Sequence, residues 1–204
     1  MAGLFDKGYT TVVKDYLAYV AVVLTIGAYI PYYRDILRGK THPHVYSWSL
    51  WAVLTTLLAL LQARGGAGAA VWVTVVVGIL CVGVVGLSLR TGRRDITRTD
   101  TVVAALSVLA MATWLVTDTP VIALVLAVAA DMLAFVPTIR KSYSKPYSET
   151  LSLYVTNVMR FALAFAALQS YTFLSAAWII TWLVANALFS IMLIIRRRQV
   201  LYQD

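Results

Sequence analysis

Hydrophobic positions in this chain fall in long uninterrupted runs rather than in the two-residue alternation of a half-buried strand, and short polar stretches rich in Arg, Lys, Gly, Pro and Thr separate the runs. From Val71 to Leu89 no charge interrupts about 19 residues, close to the ~20 that cross a hydrocarbon layer as a helix. Such runs recur to the C-terminus and predict helices near 12–36, 46–63, 69–89, 101–117, 120–139, 151–169 and 171–195. The expected fold is therefore an all-α membrane protein with seven transmembrane helices.

Composition supports this pattern. Of 204 residues, 61% are hydrophobic and 13% charged, against roughly 45–50% and 25% in soluble domains, so one aqueous core cannot hold the apolar side chains. The first residues, MAGLFDKGYTTVVKDY, lack the short apolar core and small-residue cleavage site of a secretory signal, and the first helix is expected to be retained. The lone cysteine, Cys81, excludes an intrachain disulfide and a cysteine-based zinc site and reads as a buried small hydrophobe.

A net charge of +8 raises the question of nucleic acid, but the placement of the charges answers it with a membrane. Thirteen of the seventeen basic residues fall on alternate connections: Arg34, Arg38 and Lys40; Arg90, Arg93, Arg94 and Arg98; Arg140, Lys141 and Lys145; Arg196, Arg197 and Arg198. Lys7, Lys14 and Arg64 fall on the other side, and Arg160 alone lies within a span. The positive-inside rule then puts the N-terminus outside and the C-terminus in the cytoplasm, in a plasma or inner membrane.

Two segments resemble each other: AYIPYYRDILRGKTHPHVYSWSLW from Ala28 and AFVPTIRKSYSKPYSETLSLYVTN from Ala134. Both place a proline three positions after the alanine and an arginine three further on, and the offset is 106 residues for Pro31 to Pro137 and for Arg34 to Arg140. An internal repeat follows, with residues 1–95 as a first three-helix unit, 96–118 as a linker helix and 119–204 as a second unit with a basic tail. A three-helix unit reverses the chain's direction, so one inserted helix keeps the halves parallel. The fourth span, bracketed by Asp100 and Asp118 and free of ionisable residues, suits that role. Chance likeness of two hydrophobic helix–loop segments is the alternative.

These residues resemble the PQ-loop family, which includes the SWEET sugar transporters and the lysosomal cystine transporter and whose repeats begin with a helix ending in proline-glutamine before a basic loop. Here Tyr32 and Thr138 follow the two prolines, so the glutamine is absent from both copies. The resemblance implies a SWEET-like arrangement of two parallel three-helix bundles and alternating access to a small solute, with Pro31 and Pro137 as hinges. Proline deletes a backbone hydrogen bond and crowds the preceding turn, so each helix is weakened there; a static kink is the other reading.

Asp131 is the single acidic residue well inside a predicted span, about 11 residues or ~16 Å from the helix end, and Arg160 on the next helix lies ~15 Å from the opposite side. Charges at that depth cost at least ~2.5–3.5 kcal/mol and normally face the bundle interior. One reading is that Asp131 takes up a proton when substrate disturbs its pairing with Arg160; the other is a permanent ion pair locking two helices. Burial and a cation act on a carboxyl's proton in opposite senses, which leaves the choice open. The corresponding positions of the first repeat are Thr25 and Leu54, so ionisable chemistry belongs to the second half.

Asn157 and Asn186 are polar residues within spans. The resemblance implies a substrate-holding role for Asn186, while interhelical hydrogen bonding is the ordinary role for either. Trp51 and Tyr154 are candidates to flank a solute, and Trp48 reads as an interface anchor. His42 and His44, in THPHVY, make a weak ligand set and read as a solvated loop; no metal or cofactor is expected. The last span, 171–195, has no lysine to bind retinal, and the spans lack paired carboxylates or a serine with its base, so no enzyme is expected. The expected partners are lipid and a small molecule such as a sugar or amino acid, with protons and a homo-oligomer left open. The alternative is a binding or sorting receptor of SWEET-like architecture, in which Arg160 would hold a peptide carboxylate.

Overall fold

A computed structural model describes residues 2–43, 45–91 and 119–200, together with isolated positions between 98 and 116. Among them are six long helices and no strand: α1 (Ala2–Leu37), α2 (Val45–Arg64), α3 (Val71–Thr91), α4 (Pro120–Ser144), α5 (Leu151–Ala166) and α6 (Phe173–Gln199). Apart from those isolated positions, the expected linker helix lies outside the described residues, as do Arg93, Arg94 and His44. Among the described residues five segments are long and apolar enough to cross a membrane: Tyr9–Leu37, Val45–Arg64, Gly68–Leu89, Pro120–Ser144 and Phe173–Gln199. The protein is an all-helical membrane protein.

Helix ends follow local chemistry. Gly39, at φ 68°, ends α1, where the Lys40 and Thr41 amides both reach the Asp35 carbonyl. Gly66, at φ 77°, ends α2. Pro120 opens α4, where a missing N–H costs nothing. Thr172 and Ser175 exchange side-chain and backbone hydrogen bonds at the start of α6. α5 is shorter than its apolar run predicts, stopping at Ala166 where the chain turns through Ala167 and Leu168 toward α6. At 16 residues it is ~24 Å long.

α3 packs on both α1 and α2, and α6 packs on both α4 and α5. Across the molecule α1 lies on α5 and α2 on α4, with α2 also touching α6. α2 is bordered by α3, α4 and α6, and Leu54, Leu57, Leu58 and Leu61 are fully buried on it. The outward faces carry Val23, Ile30, Ile79, Val82, Ile122, Val125, Leu188 and Ile191, all exposed. Apolar outside with Asp131 and Arg160 buried within is the distribution that lipid, rather than water, favours.

Hydrogen bonds bring three of the basic connections, those of Arg34 to Lys40, Arg140 to Lys145 and Arg196 to Arg198, to one end. Lys141 Nζ donates to the His42 carbonyl at 2.7 Å, Thr41 and Thr150 share a hydrogen bond of 2.7 Å, and Arg197 Nη2 donates to the Glu149 carbonyl at 2.6 Å. At the opposite end the α2–α3 turn meets the α5–α6 turn: Thr172 Oγ1 donates to the Gly65 carbonyl at 2.9 Å and the Ser170 amide to Gly66 at 3.1 Å. Lys14 Nζ also reaches the Leu168 carbonyl there, at 2.7 Å.

Candidate functional site

A cavity opens between the helices at mid-span. Asp131, from α4, and Arg160, from α5, both line it, as do Trp51 and Trp48 of α2, Tyr154 and Asn157 of α5, and Trp178 and Trp182 of α6. Tyr29 and Cys81 bring α1 and α3 to the same space. Of the six residues singled out for binding or coupling, the four besides the charged pair are placed as follows: Trp51, Tyr154 and Asn157 at the wall, Asn186 behind it.

Asp131 and Arg160 are 1% and 2% exposed, yet they form no ion pair with each other. Each is held by something else. Trp178 and Trp182 stand one helical turn apart on α6, and their indole N–H groups donate to Asp131 Oδ2 at 2.7 and 2.5 Å. Trp51 Nε1 donates to the Asp131 backbone carbonyl at 3.2 Å, tying α2 to α4. Arg160 Nε donates to Asn157 Oδ1 at 2.7 Å, three residues away on the same helix, and its guanidinium lies 4.0 Å from the centre of the Phe161 ring.

A polar chain joins the two charged residues without contact between them. Asn157 Nδ2 donates to Asn186 Oδ1 at 3.0 Å, Asn186 Nδ2 donates to the Trp182 carbonyl at 2.7 Å, and the Trp182 indole donates to Asp131. The two asparagines are thus brought together as an α5–α6 bridge. What the chain leaves over is one atom at each end: Asp131 Oδ1 and Arg160 Nη1 are buried without a hydrogen-bond partner. Such atoms are costly in an apolar interior unless something visits them.

The positions that the expected repeat pairs with Asp131 and Arg160, namely Thr25 and Leu54, carry no such chemistry. Thr25 is fully buried and spends its hydroxyl on the Ala21 carbonyl at 2.7 Å, and Leu54 is core. Trp48 departs from the interface-anchor expectation: it is 3% exposed, packed 5.0 Å from Trp51 and 5.1 Å from Tyr32 by ring centres, because α2 is surrounded by protein at this level. Cys81 is buried, as its apolar run implied, and also lines the cavity beside the Tyr29 hydroxyl. Pro31 and Pro137 both sit inside continuous helices, each depriving a carbonyl four residues earlier, Gly27 and Leu133, of its helical donor.

Two features escaped sequence reasoning. Trp178 and Trp182 had a signal, two tryptophans at i and i+4 in a span, with Trp182 well away from either end. Glu149 had a weaker one, a lone acid in a basic connection. It is 2% exposed and gathers Lys141 Nζ at 2.5 Å on Oε1, with Tyr154 and Tyr32 hydroxyls on Oε2 at 3.1 and 3.4 Å. Tyr32 comes from α1, so this carboxylate links α1 to α4 and α5 at the basic end.

Compared with known proteins, the chain matches no protein-family model, no curated protein and no solved structure.

Proposed function

We propose that the protein is a small-solute membrane transporter that works by alternating access, with Asp131 coupling proton movement to transport. The observation that carries this reading is a mid-span cavity holding a buried carboxylate and a buried guanidinium, each with an unpartnered atom. Polar contacts between the two halves of the helix bundle lie at both ends of it, and breaking one set at a time would expose the cavity to each side in turn.

The helix packing supports two parallel three-helix units. In each, the third helix lies between the first two, and across the interface α1 meets α5 as α2 meets α4, a crosswise pairing expected of a pseudo-twofold axis. This is the arrangement that the resemblance to the PQ-loop and SWEET proteins implies. The positive-inside rule makes the basic end cytoplasmic, so the Glu149 cluster is the inner gate and the contacts between the α2–α3 and α5–α6 turns are the outer one. Pro31 and Pro137 weaken α1 and α4 beside the inner gate, where a hinge is needed.

The test is solute uptake by purified protein in liposomes, with and without a pH gradient, for the native chain and Asp131→Asn. Native protein accumulates solute in a gradient-dependent way and the variant loses that dependence. Unchanged uptake and pH dependence in Asp131→Asn rejects Asp131 as the coupling residue, and no flux of any small solute by native protein rejects transport. In that second case a peptide-binding assay addresses the receptor alternative.

A further inference from the structure

The charges in the cavity bear on what it holds. Asp131 Oδ2 is fully occupied by two indole donors, while Oδ1 has no partner; Arg160 Nε is occupied by Asn157, while Nη1 has none. Both residues line one cavity and neither neutralises the other. A neutral polyol could satisfy both atoms by hydrogen bonding but would leave two full charges uncompensated in a poorly solvated space. A purely cationic or anionic solute would compensate one and strand the other.

We infer that the cavity is built for a zwitterion, a solute carrying a protonated amine and a carboxylate, with the amine on Asp131, the carboxylate on Arg160 and the carbon body against the surrounding aromatic rings. The inference rests on reading the cavity as the substrate site. Charge-assisted hydrogen bonds at both ends fix orientation. Protein and ligand charges then sum to zero, so the loaded site crosses its conformational change without net charge in the membrane interior.

A consequence follows for coupling. Among the described residues Asp131 is the only carboxylate lining the cavity, and the other ionisable groups facing it are Tyr29, Cys81, Tyr154 and Arg160. One carboxylate can hold a proton or an ammonium, not both, so proton and solute exchange at Asp131 instead of travelling together, and acidification weakens zwitterion binding.

Four cavity tryptophans, Trp48, Trp51, Trp178 and Trp182, make intrinsic fluorescence a direct binding readout in detergent. The probes are L-leucine and γ-aminobutyrate as zwitterions of two lengths, leucinamide as the cation alone, N-acetylleucine as the anion alone, and glucose. We expect at least one zwitterion to bind saturably and at least tenfold tighter than leucinamide, N-acetylleucine and glucose. Arg160→Gln should bring leucinamide and that zwitterion to within about threefold of each other, and Asp131→Asn should do the same for N-acetylleucine and abolish the weakening at low pH. These ratios do not move if the residues only support the fold. Should either variant fail to give a monodisperse protein, the probe series on native protein still decides. Equal or tighter binding of glucose, or of a singly charged analogue, overturns the inference, as does a zwitterion preference that survives both substitutions. Because binding is read without flux, charge-selective binding with no uptake in liposomes sinks transport and leaves the zwitterion site standing, whereas uptake of glucose with no zwitterion preference does the reverse.

Discussion

Arg160 shows how a buried charge is made tolerable one side chain at a time. Its Nε is taken by Asn157, whose amide in turn is taken by Asn186, so substituting the middle of the chain strands an atom on each side. Asn157→Leu therefore leaves two buried polar groups unpaired, each costing about 1–3 kcal/mol. We expect a clear drop in the thermal midpoint of the purified protein, with Asn157→Gln less harmful than Asn157→Leu. Trp182→Phe keeps the ring packing against Phe135 and Trp51 but removes one donor from Asp131 Oδ2. Zwitterion binding should weaken by tenfold or more in that variant while the protein stays folded. Asp131 and Arg160 were legible in the sequence because any charge within an apolar run is conspicuous. Asn157 and Asn186 were legible as interhelical hydrogen-bonding candidates; that two tryptophans hold Asp131 was not, since an indole N–H inside a span has the same appearance whether it packs or donates.

Among the elements, α1 and α4 test the hinge. Pro31→Ala and Pro137→Ala restore a donor to the Gly27 and Leu133 carbonyls and stiffen each helix near the basic end. For a hinge, uptake falls at least tenfold while thermal stability holds or rises; for a static kink, uptake stays within about twofold. Helix contact depends on small residues elsewhere. A methyl on Gly83 of α3 would collide with the Tyr33 hydroxyl of α1, which donates to the Leu80 carbonyl at 2.6 Å. Gly83→Ala should cost about 1–3 kcal/mol through overpacking. In a double-mutant cycle with Tyr33→Phe, which removes the colliding oxygen, the two losses should be less than additive. Element positions were legible to within about five residues except at the start of α1, which begins at Ala2 rather than near residue 12; α5 ends three residues early, where the turn of residues 167–172 onto the α2–α3 connection, rather than hydrophobicity, sets the end.

At the scale of the molecule, the two sets of end contacts are the parts that alternating access must break. Cys81 is the chain's only cysteine and lines the cavity, so it reports entry without engineering. Glu149→Ala removes the carboxylate that binds Lys141, Tyr154 and Tyr32 together. In oriented vesicles we expect it to raise the rate of Cys81 modification by a membrane-impermeant thiol reagent at least tenfold from the basic side, with no rise from the other. Equal rates in native and variant protein would show that this cluster does not gate the cavity.

By itself the sequence determined that this is a helical membrane protein, where most helices lie, that basic connections share one end and that two charges are buried, because each follows from hydropathy and charge read along one dimension. Only the tertiary structure decided that Asp131 and Arg160 stay apart, that two tryptophans of α6 hold the first and an asparagine pair the second, and that Glu149 fastens the basic end. Those outcomes depend on which faces of α2, α4, α5 and α6 meet. Within a membrane nearly every face is apolar, so the periodicity that would orient a helix in water carries little information about its partners.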